Sequence, residues 1–125
     1  MKRKAYTAKG AVSVGPYSHA AEIDGLVFLS GQTPMDPSTG KLATGDIKAQ
    51  TRQCFANLFA VLEAAGLAGD NVIKTSVFLT DMANFPAMNE VYAEHFSSPF
   101  PARTTIGVKE LPLGAMIEIE MIARR

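Results

Sequence analysis

The chain has 125 residues, 47% of them hydrophobic, which predicts a single domain over residues 1–125 with a real core and excludes intrinsic disorder. Twelve basic and twelve acidic residues give a formal net charge of zero, and this balance argues against nucleic-acid binding, which needs a basic surface. No stretch is long and apolar enough for a signal peptide or a membrane span.

The first predicted element is a β-hairpin. Asp24-Gly25 separates two strand-like runs at residues 20–23 and 26–30, and an Asp-Gly pair between such runs is typical of a two-residue hairpin turn. The basic segments at residues 1–4 and 124–125 are expected to be solvated termini. Residues 33–45 contain several glycine and proline breaks and are expected to form a loop.

Two helices are predicted next. Asp46 is a good N-cap for a helix that runs to about Ala65 and stops at Gly66. A second helix is predicted from Asn84, a candidate cap, to Phe96, with Pro86 in its first turn. Each has an apolar stripe at helical spacing that is expected to face the core. The stripes consist of Ile47, Thr51, Phe55, Leu58, Leu62 and Ala65, and of Phe85, Met88, Tyr92 and Phe96.

Strands are predicted at residues 72–79, from about 102 to 109, and from 117 onward. In the first of them, Val72, Lys74, Ser76 and Phe78 alternate against Ile73, Thr75, Val77 and Leu79. The order of elements predicts an α+β fold with a mostly antiparallel sheet and both helices on one face. The uncovered face is expected to carry Arg103, Thr105, Gly107, Glu118 and Glu120. Apolar residues among them would favour self-association and sites between subunits.

Arg103 and Glu120 are the main candidates for chemistry. If their strands pair, alternation puts a guanidinium, the Thr105 hydroxyl and the carboxylates on one sheet face. Arginine suits a small carboxylate ligand because its fork donates two parallel hydrogen bonds, and a glutamate can hold or deprotonate a water beside it. The same residues also fit a structural ion pair between strands, and alternation alone leaves both interpretations open.

Weaker candidates flank this pair. Tyr17 follows a Gly-Pro turn and can project into a cleft, and Ser30 and Gly31 end the hairpin strand, where glycine permits a close approach to the backbone. Asn89 lies one helical turn before Tyr92. Each of these residues also has an ordinary structural explanation.

Several chemistries lack the residues they need. His19 and His95 are the only histidines, and no cluster has the spacing of metal ligands, so no metal site is expected. No glycine-rich phosphate loop is present, and Ser30 lacks the surrounding pattern of a hydrolase nucleophile. Cys54, the only cysteine, allows no internal disulfide. It is expected to be a buried small hydrophobe and indicates a reducing, cytoplasmic compartment.

Short blocks along nearly the whole chain, from about Tyr6 to Arg124, resemble the Rid family, and specifically its RidA-type imine deaminases. The arginine and glutamate blocks are specific jointly. The blocks are Gly15-Pro16-Tyr17-Ser18, Ser30-Gly31-Gln32-Thr33-Pro34, Lys74-Thr75-Ser76-Val77-Phe78, Asn89-Glu90-Val91-Tyr92, Pro101-Ala102-Arg103 and Ile117-Glu118-Ile119-Glu120.

The resemblance implies a chorismate-mutase-like fold and a homotrimer, whose sheets form a central barrel with clefts between subunits. It also implies cofactor-free hydrolysis of 2-imino acids, such as 2-iminobutanoate and 2-iminopropanoate, to 2-keto acids and ammonia. By position, Arg103 would clamp the substrate carboxylate and Glu120 would position the attacking water. The position of Thr105 is often cysteine in related proteins, which puts a thiol-dependent side activity in doubt, although its backbone N–H can still bind a carboxylate. Tyr17, Ser30, Gly31 and Asn89 would line the cleft.

Two other functions compete with this expectation. One is an endoribonuclease or translation inhibitor, an activity attributed to some members of the family, which the neutral charge and the absence of a histidine pair disfavour. The other is a non-enzymatic regulator that binds keto acids through the same arginine. Relatives that act on aminoacrylate peracids or aminomuconate-type substrates leave the identity of the imine open as well.

Overall fold

The computed structural model describes residues 2–9 and 15–125. Met1, which belongs to the basic N-terminal segment, lies outside these residues. The helices are α1 (Ile47–Ala64) and α2 (Phe85–His95). The strands are β1 (Lys4–Tyr6), β2 (Ala20–Ile23), β3 (Leu26–Gln32), β4 (Met35–Asp36), β5 (Lys41–Leu42), β6 (Val72–Leu79), β7 (Ala102–Gly107) and β8 (Ile117–Arg124).

The main sheet has six strands in the order β1-β2-β3-β8-β6-β7. Its neighbours pair antiparallel except β6 and β7, which run parallel because α2 connects them as a crossover. Both helices pack on one face of the sheet and leave the other face open. The predicted α+β fold, with a mostly antiparallel sheet and two helices on one side, is therefore confirmed.

The predicted hairpin is present, with its two-residue turn. Ile23 pairs with Leu26 across the turn, and Asp24 and Gly25 have φ values of 53° and 79°. These left-handed values match the type I′ turn that suits the twist of a hairpin, and they explain why Asp and Gly occupy the two positions.

The helix ends follow the local signals. The Asp46 carboxylate accepts a hydrogen bond from Ala49 N at 3.0 Å, and Gly66 has φ 74° just beyond α1. Pro86 lies in the first turn of α2, as predicted. Asn84 makes no side-chain cap there; instead the Asp81 side chain accepts from Ala83 N at 2.9 Å and caps a short 3-10 turn that leads into α2.

The core lies between the helices and the covered sheet face. Phe55, Leu58 and Leu62 from α1 and Met88 from α2 are fully buried against Ile117 and its neighbours. Cys54 is buried among them, as predicted, and its thiol donates to Gln32 O at 3.2 Å. Burial raises the pKa of this thiol well above its usual range, so it stays protonated and unreactive.

Three expectations about the ends and loops were wrong. Residues 33–45 are not only loop, because β4 and β5 pair there as a small ribbon. The N-terminal segment is not wholly a free end, because Lys4 begins an edge strand against β2. Arg125 is also bound: its Nη2 donates to Glu22 at 2.9 Å and to Ala65 O at 2.7 Å, the latter at the end of α1.

The alternation predicted for β6 fails at its first residue. The register between β6 and β8 shifts between Val72 and Lys74. This irregularity places Val72 in the core with Thr75 and Val77, instead of on the open face with Lys74. A bulge changes which face of the sheet the following side chains occupy, and a prediction based on strict alternation does not include such a shift.

Candidate functional site

Arg103 and Glu120 lie on opposite faces of the sheet. Arg103 is in register with Thr75, which is buried under the helices. Glu120 is in register with Ser76, the next residue, which faces the open side. β7 and β8 do not pair, because β6 lies between them, and strands two positions apart are separated by about 10 Å. The expected shared face was therefore wrong, and so was the alternative of an ion pair between these residues within one chain.

The cause of this error is the order of strands and not the alternation itself. Within β7, Arg103 and Thr105 do point opposite to Thr104 and Ile106, as predicted. Two strands that are consecutive in the sequence were expected to pair. The α2 crossover instead places β7 at the outer edge of the sheet, beside β6. The side of β7 that carries Arg103 therefore lies on the face of the sheet that the helices cover.

Arg103 is fixed by helix α2. Its Nη1 donates to Asn89 Oδ1 at 2.7 Å. The guanidinium carbon lies 4.6 Å from the centre of the Tyr92 ring and 5.5 Å from that of the Phe85 ring. These contacts hold the cation against aromatic surfaces. The rest of the fork has no hydrogen-bond partner among residues 2–9 and 15–125, so it is available to a ligand.

The concavity around Arg103 lies beside the edge of the sheet. It is lined by Asn89, Tyr92, Ala93, Phe100, Pro101 and Arg103. Sequence reasoning selected Asn89 and Arg103 here and missed the roles of Phe85 and Phe100. The spacing of Phe85, Asn89 and Tyr92 on one helix face was visible as a core stripe, but only the structure shows that part of this stripe supports an arginine.

Thr105 follows Arg103 on the same side of β7. Its hydroxyl is buried and has no hydrogen-bond partner within the described parts of the chain. Val108 N donates to Leu79 O on β6, and successive residues of a strand alternate in the direction of their backbone groups. The N–H of Thr105 consequently points away from β6, toward the free edge of the sheet.

Glu120 lines a different concavity, on the open face. The cavity also contains Tyr17, Ser30, Gly31 and Glu118, together with Pro112 and Leu113 at its rim. An adjoining hollow brings Arg3 near Glu120. The structure thus brings four of the predicted residues together (Tyr17, Ser30, Gly31 and Glu120) and separates them from Asn89, Arg103 and Thr105.

Local hydrogen bonds bring Tyr17 and Ser30 to this cavity. Ser30 Oγ donates to Ser18 O at 2.7 Å, and Ser30 N donates to His19 O at 2.9 Å. These bonds fasten the segment that carries Tyr17 to the end of β3. Tyr17 is 44% exposed and lines the cavity, so its side chain can contact a ligand there.

Glu118 lies deeper than Glu120 in the same cavity. It is half-buried, and its pKa is raised, first by burial and second by the nearby charge of Glu120. A side chain at Gly31 would collide with it, because a Cβ there would overlap Glu118 Oε2 and lie 3.0 Å from Glu118 Cδ. Gly31 therefore leaves room for the Glu118 carboxylate where β3 changes register between Leu29 and Gln32.

Neither histidine belongs to these cavities. His19 is buried, and its Nδ1 accepts a hydrogen bond from Ala8 N at 3.3 Å. His95 stacks on Phe55 with ring centres 4.3 Å apart. In the part of the chain that the structure describes, no group of three His, Cys, Asp or Glu residues is placed to hold a metal ion. Across residues 2–9 and 15–125, no helix has the length and apolarity to cross a bilayer.

Small α+β domains with this arrangement, two helices on one face of a mostly antiparallel sheet, are also found among solved structures. The sequence profile described as endoribonuclease L-PSP matches residues 8–125. The chain belongs to this family, which is the Rid family.

Three relatives illustrate the similarity. A RutC family protein of Pyrococcus horikoshii is 48% identical over 123 residues, which is 98% of each chain. A 2-iminobutanoate/2-iminopropanoate deaminase of Dermatophagoides farinae is 44% identical over 121 residues, covering 97% of this chain and 94% of the relative. A solved Yersinia pestis protein of the Rid family superposes with a TM-score of 0.95 at 42% identity, covering 99% of this chain and all of that one.

Proposed function

We propose that this protein hydrolyses small 2-imino acids, such as 2-iminobutanoate and 2-iminopropanoate, to 2-keto acids and ammonia. The observation that carries the proposal is the preorganised Arg103, held by Asn89 and the Tyr92 ring with part of its fork open. Such a fork matches a carboxylate, the group that every 2-imino acid carries next to the imine carbon. The similarity to a relative named as a deaminase of these two imines supports the same substrate class.

The proposed active site is completed by a second copy of the chain. Arg103 and Glu120 occupy different faces of one sheet, so a substrate small enough to be an imino acid cannot touch both in a single chain. The open face also exposes Phe28 and Ile106, at 47% and 45%, and such apolar surface favours association. In the homotrimer that we propose, of the chorismate-mutase-like type, the open faces line a central barrel. Each cleft then takes Arg103 from one subunit and Glu120 from its neighbour.

In this cleft the residues of the two subunits have different roles in the reaction. Arg103 and the outward N–H of Thr105 bind the substrate carboxylate and orient the imine carbon, which removes part of the entropic barrier to reaction. Glu120 holds a water and takes its proton as the oxygen attacks that carbon. Ammonia leaves after proton transfer to nitrogen. Tyr17, Ser30 and Gly31 line the Glu120 side, and no cofactor is required because an imine is already electrophilic.

RNA cleavage is the second candidate, and the description of the matching family favours it. Acid–base cleavage of RNA commonly uses histidine, but His19 is buried and His95 stacks on Phe55 away from both cavities. The zero net charge also gives little electrostatic attraction for a polyanion.

The decisive experiment is a coupled assay in which a threonine dehydratase generates the imine and semicarbazide competes for it. The wild-type protein should accelerate release of the keto acid, and Arg103→Ala should abolish the acceleration while the oligomer persists. Arg52→Ala is the matched control, because Arg52 forms an exposed pair with Glu94 on the helix surface. It should behave like the wild type.

Other outcomes would point to the competing functions. Arg103→Ala with nearly wild-type deaminase activity would refute the proposed role of Arg103. Cleavage of RNA in metal-free buffer, without imine hydrolysis, would favour the endoribonuclease. Binding of a keto acid that requires Arg103, with no turnover of any imine, would indicate the regulator.

A further inference from the structure

Glu118 occupies an unusual position for a glutamate. It lies two residues before Glu120, on the same face of β8, and both line one cavity. Its carboxylate packs against the backbone of Gly31, in space that any other residue at position 31 would fill. The strand irregularity in β3 and the absent side chain at Gly31 together create a place for this carboxylate beside the cavity.

Within the described part of one chain Glu118 has no ion-pair partner: Arg3 lies in the adjoining hollow beside Glu120, and the Arg103 that a neighbouring subunit is proposed to add binds the substrate carboxylate. Its neighbour on β6 is Phe78, and the β3 residue beside it is Gly31. The titratable groups that share its cavity are Tyr17 and Glu120, and the protonated Cys54 thiol lies behind the sheet.

Two carboxyl groups on one strand face, one of them more buried than the other, favour one protonated and one ionised group. Burial and the negative charge of Glu120 both disfavour an ionised Glu118. Glu120 is exposed and keeps its solvation. A buried and an exposed carboxyl group side by side are one way in which proteins obtain an acid and a base from one residue type.

We propose that Glu118 is the proton donor of the cleft and acts in concert with Glu120. This inference rests on the proposed deaminase function and supplies a proton donor for the addition step, in which Glu120 is acting as the base. Attack of water needs a base for the water proton and, in the same step, an acid that protonates the nitrogen as the C=N π electrons move onto it.

The reaction balances with these two groups alone. Ionised Glu120 takes a proton from water as its oxygen bonds to the imine carbon. The C=N π electrons move to nitrogen, which takes the proton of Glu118 and gives a neutral carbinolamine. Glu120 then returns its proton to the amine, the C–N bond breaks and ammonia departs. The remaining hydroxyl forms the C=O bond and gives its proton to Glu118, which restores both groups.

The test compares Glu118→Gln with wild type in the coupled imine assay across a range of pH. Glutamine keeps the shape beside Gly31 but cannot release a proton. The kcat should fall by roughly 100-fold, the size expected for loss of one acid–base group, while KM changes by less than about threefold. The decline of wild-type kcat at higher pH, where Glu118 loses its proton, should disappear in the variant. Glu63→Gln, an exposed change on α1, is the control.

A second measurement does not depend on turnover. NMR of protein labelled at the glutamate carboxyl carbons should show Glu118 titrating above the range usual for a glutamate, and Glu120→Gln should lower that midpoint. A midpoint in the usual range for a glutamate that is insensitive to Glu120→Gln would overturn the assignment of Glu118 as the protonated group.

The assay separates this inference from the function on which it rests. An inactive wild-type protein would overturn the deaminase function, and the role of Glu118 with it. An active wild type with a folded Glu118→Gln variant of equal kcat and pH profile would overturn the role of Glu118 alone.

Discussion

Arg103 Nη1 and Asn89 Oδ1 are joined by a hydrogen bond of 2.7 Å that links edge strand β7 to helix α2. The Tyr92 ring, one helical turn from Asn89, lies against the same guanidinium. The direction of the arginine fork is thus set before any ligand arrives. Preorganisation of this kind lowers the entropic cost of binding.

Replacement of Asn89 by alanine should weaken catalysis without removing the cation. A hydrogen bond to a charged group contributes about 1.5–3 kcal/mol, so kcat/KM should fall by roughly 10- to 100-fold. The loss should appear mainly in KM, because Arg103 remains but is less well directed. Glu90→Ala is the control on the same helix, since Glu90 pairs with Lys48 at the surface. Equal kcat/KM for Asn89→Ala and this control would contradict the positioning role.

Replacement of Glu120 by glutamine should lower turnover more than binding. The amide keeps the size of the side chain but cannot accept the proton of water, and such a loss costs roughly 100-fold or more in kcat. Steady-state kinetics in the coupled assay measures kcat and KM separately. Glu110→Gln, an exposed change in the turn after β7, should leave both constants unchanged. An unchanged kcat in Glu120→Gln would remove the catalytic role of Glu120.

Replacement of Gly31 by alanine should displace the Glu118 carboxylate, because the new methyl group would overlap it. We expect the variant to be destabilised by less than about 1 kcal/mol, because the atoms that the methyl group meets belong to the end of a flexible, half-buried side chain that can move aside. Chemical denaturation of Gly31→Ala, Glu118→Ala and the double variant forms a thermodynamic cycle. The double variant should be more stable than the sum of the single effects predicts, because Glu118→Ala removes the carboxylate that the methyl group at position 31 would overlap. Strict additivity would refute this contact.

Glu22 should make the folded protein sensitive to acid. Hydrogen bonds from Arg125 and then from Tyr6 lower its pKa from 4.5 to about 2. A lowered folded-state pKa adds stability above the unfolded-state pKa, and this contribution is lost as pH falls from about 4.5 toward about 2. Thermal melts should therefore show Glu22→Gln less stable than wild type at neutral pH, with the difference vanishing in acid. Glu63→Gln should track the wild type, and a Glu22→Gln deficit that is constant with pH would contradict the assignment.

Local chemistry made much of the fold predictable from the sequence. Asp24-Gly25 specifies its turn through backbone preferences that need no tertiary context, and Asp46 and Gly66 mark the ends of α1 in the same way. Within β7, alternation correctly separated the Arg103 side from the Thr104 side.

The failures share a nonlocal cause. Which face Arg103 occupies depends on β7 pairing with β6 instead of β8, and this choice is made by the crossover through α2. The burial of Val72 depends on an irregular register with a strand some fifty residues away. The ion pair between Arg125 and Glu22 likewise joins residues that are far apart in the sequence. The sequence therefore identified candidate site residues more readily than their arrangement.

The placement of Arg103 and Glu120 on opposite faces of one sheet has a genetic consequence. If each cleft takes its arginine and its glutamate from different subunits, two inactive variants should complement one another. Subunits carrying Glu120→Gln still supply Arg103, and subunits carrying Arg103→Ala still supply Glu120. Mixed assemblies of the two would contain some clefts with both wild-type groups, so co-expression should restore part of the activity that each variant lacks alone.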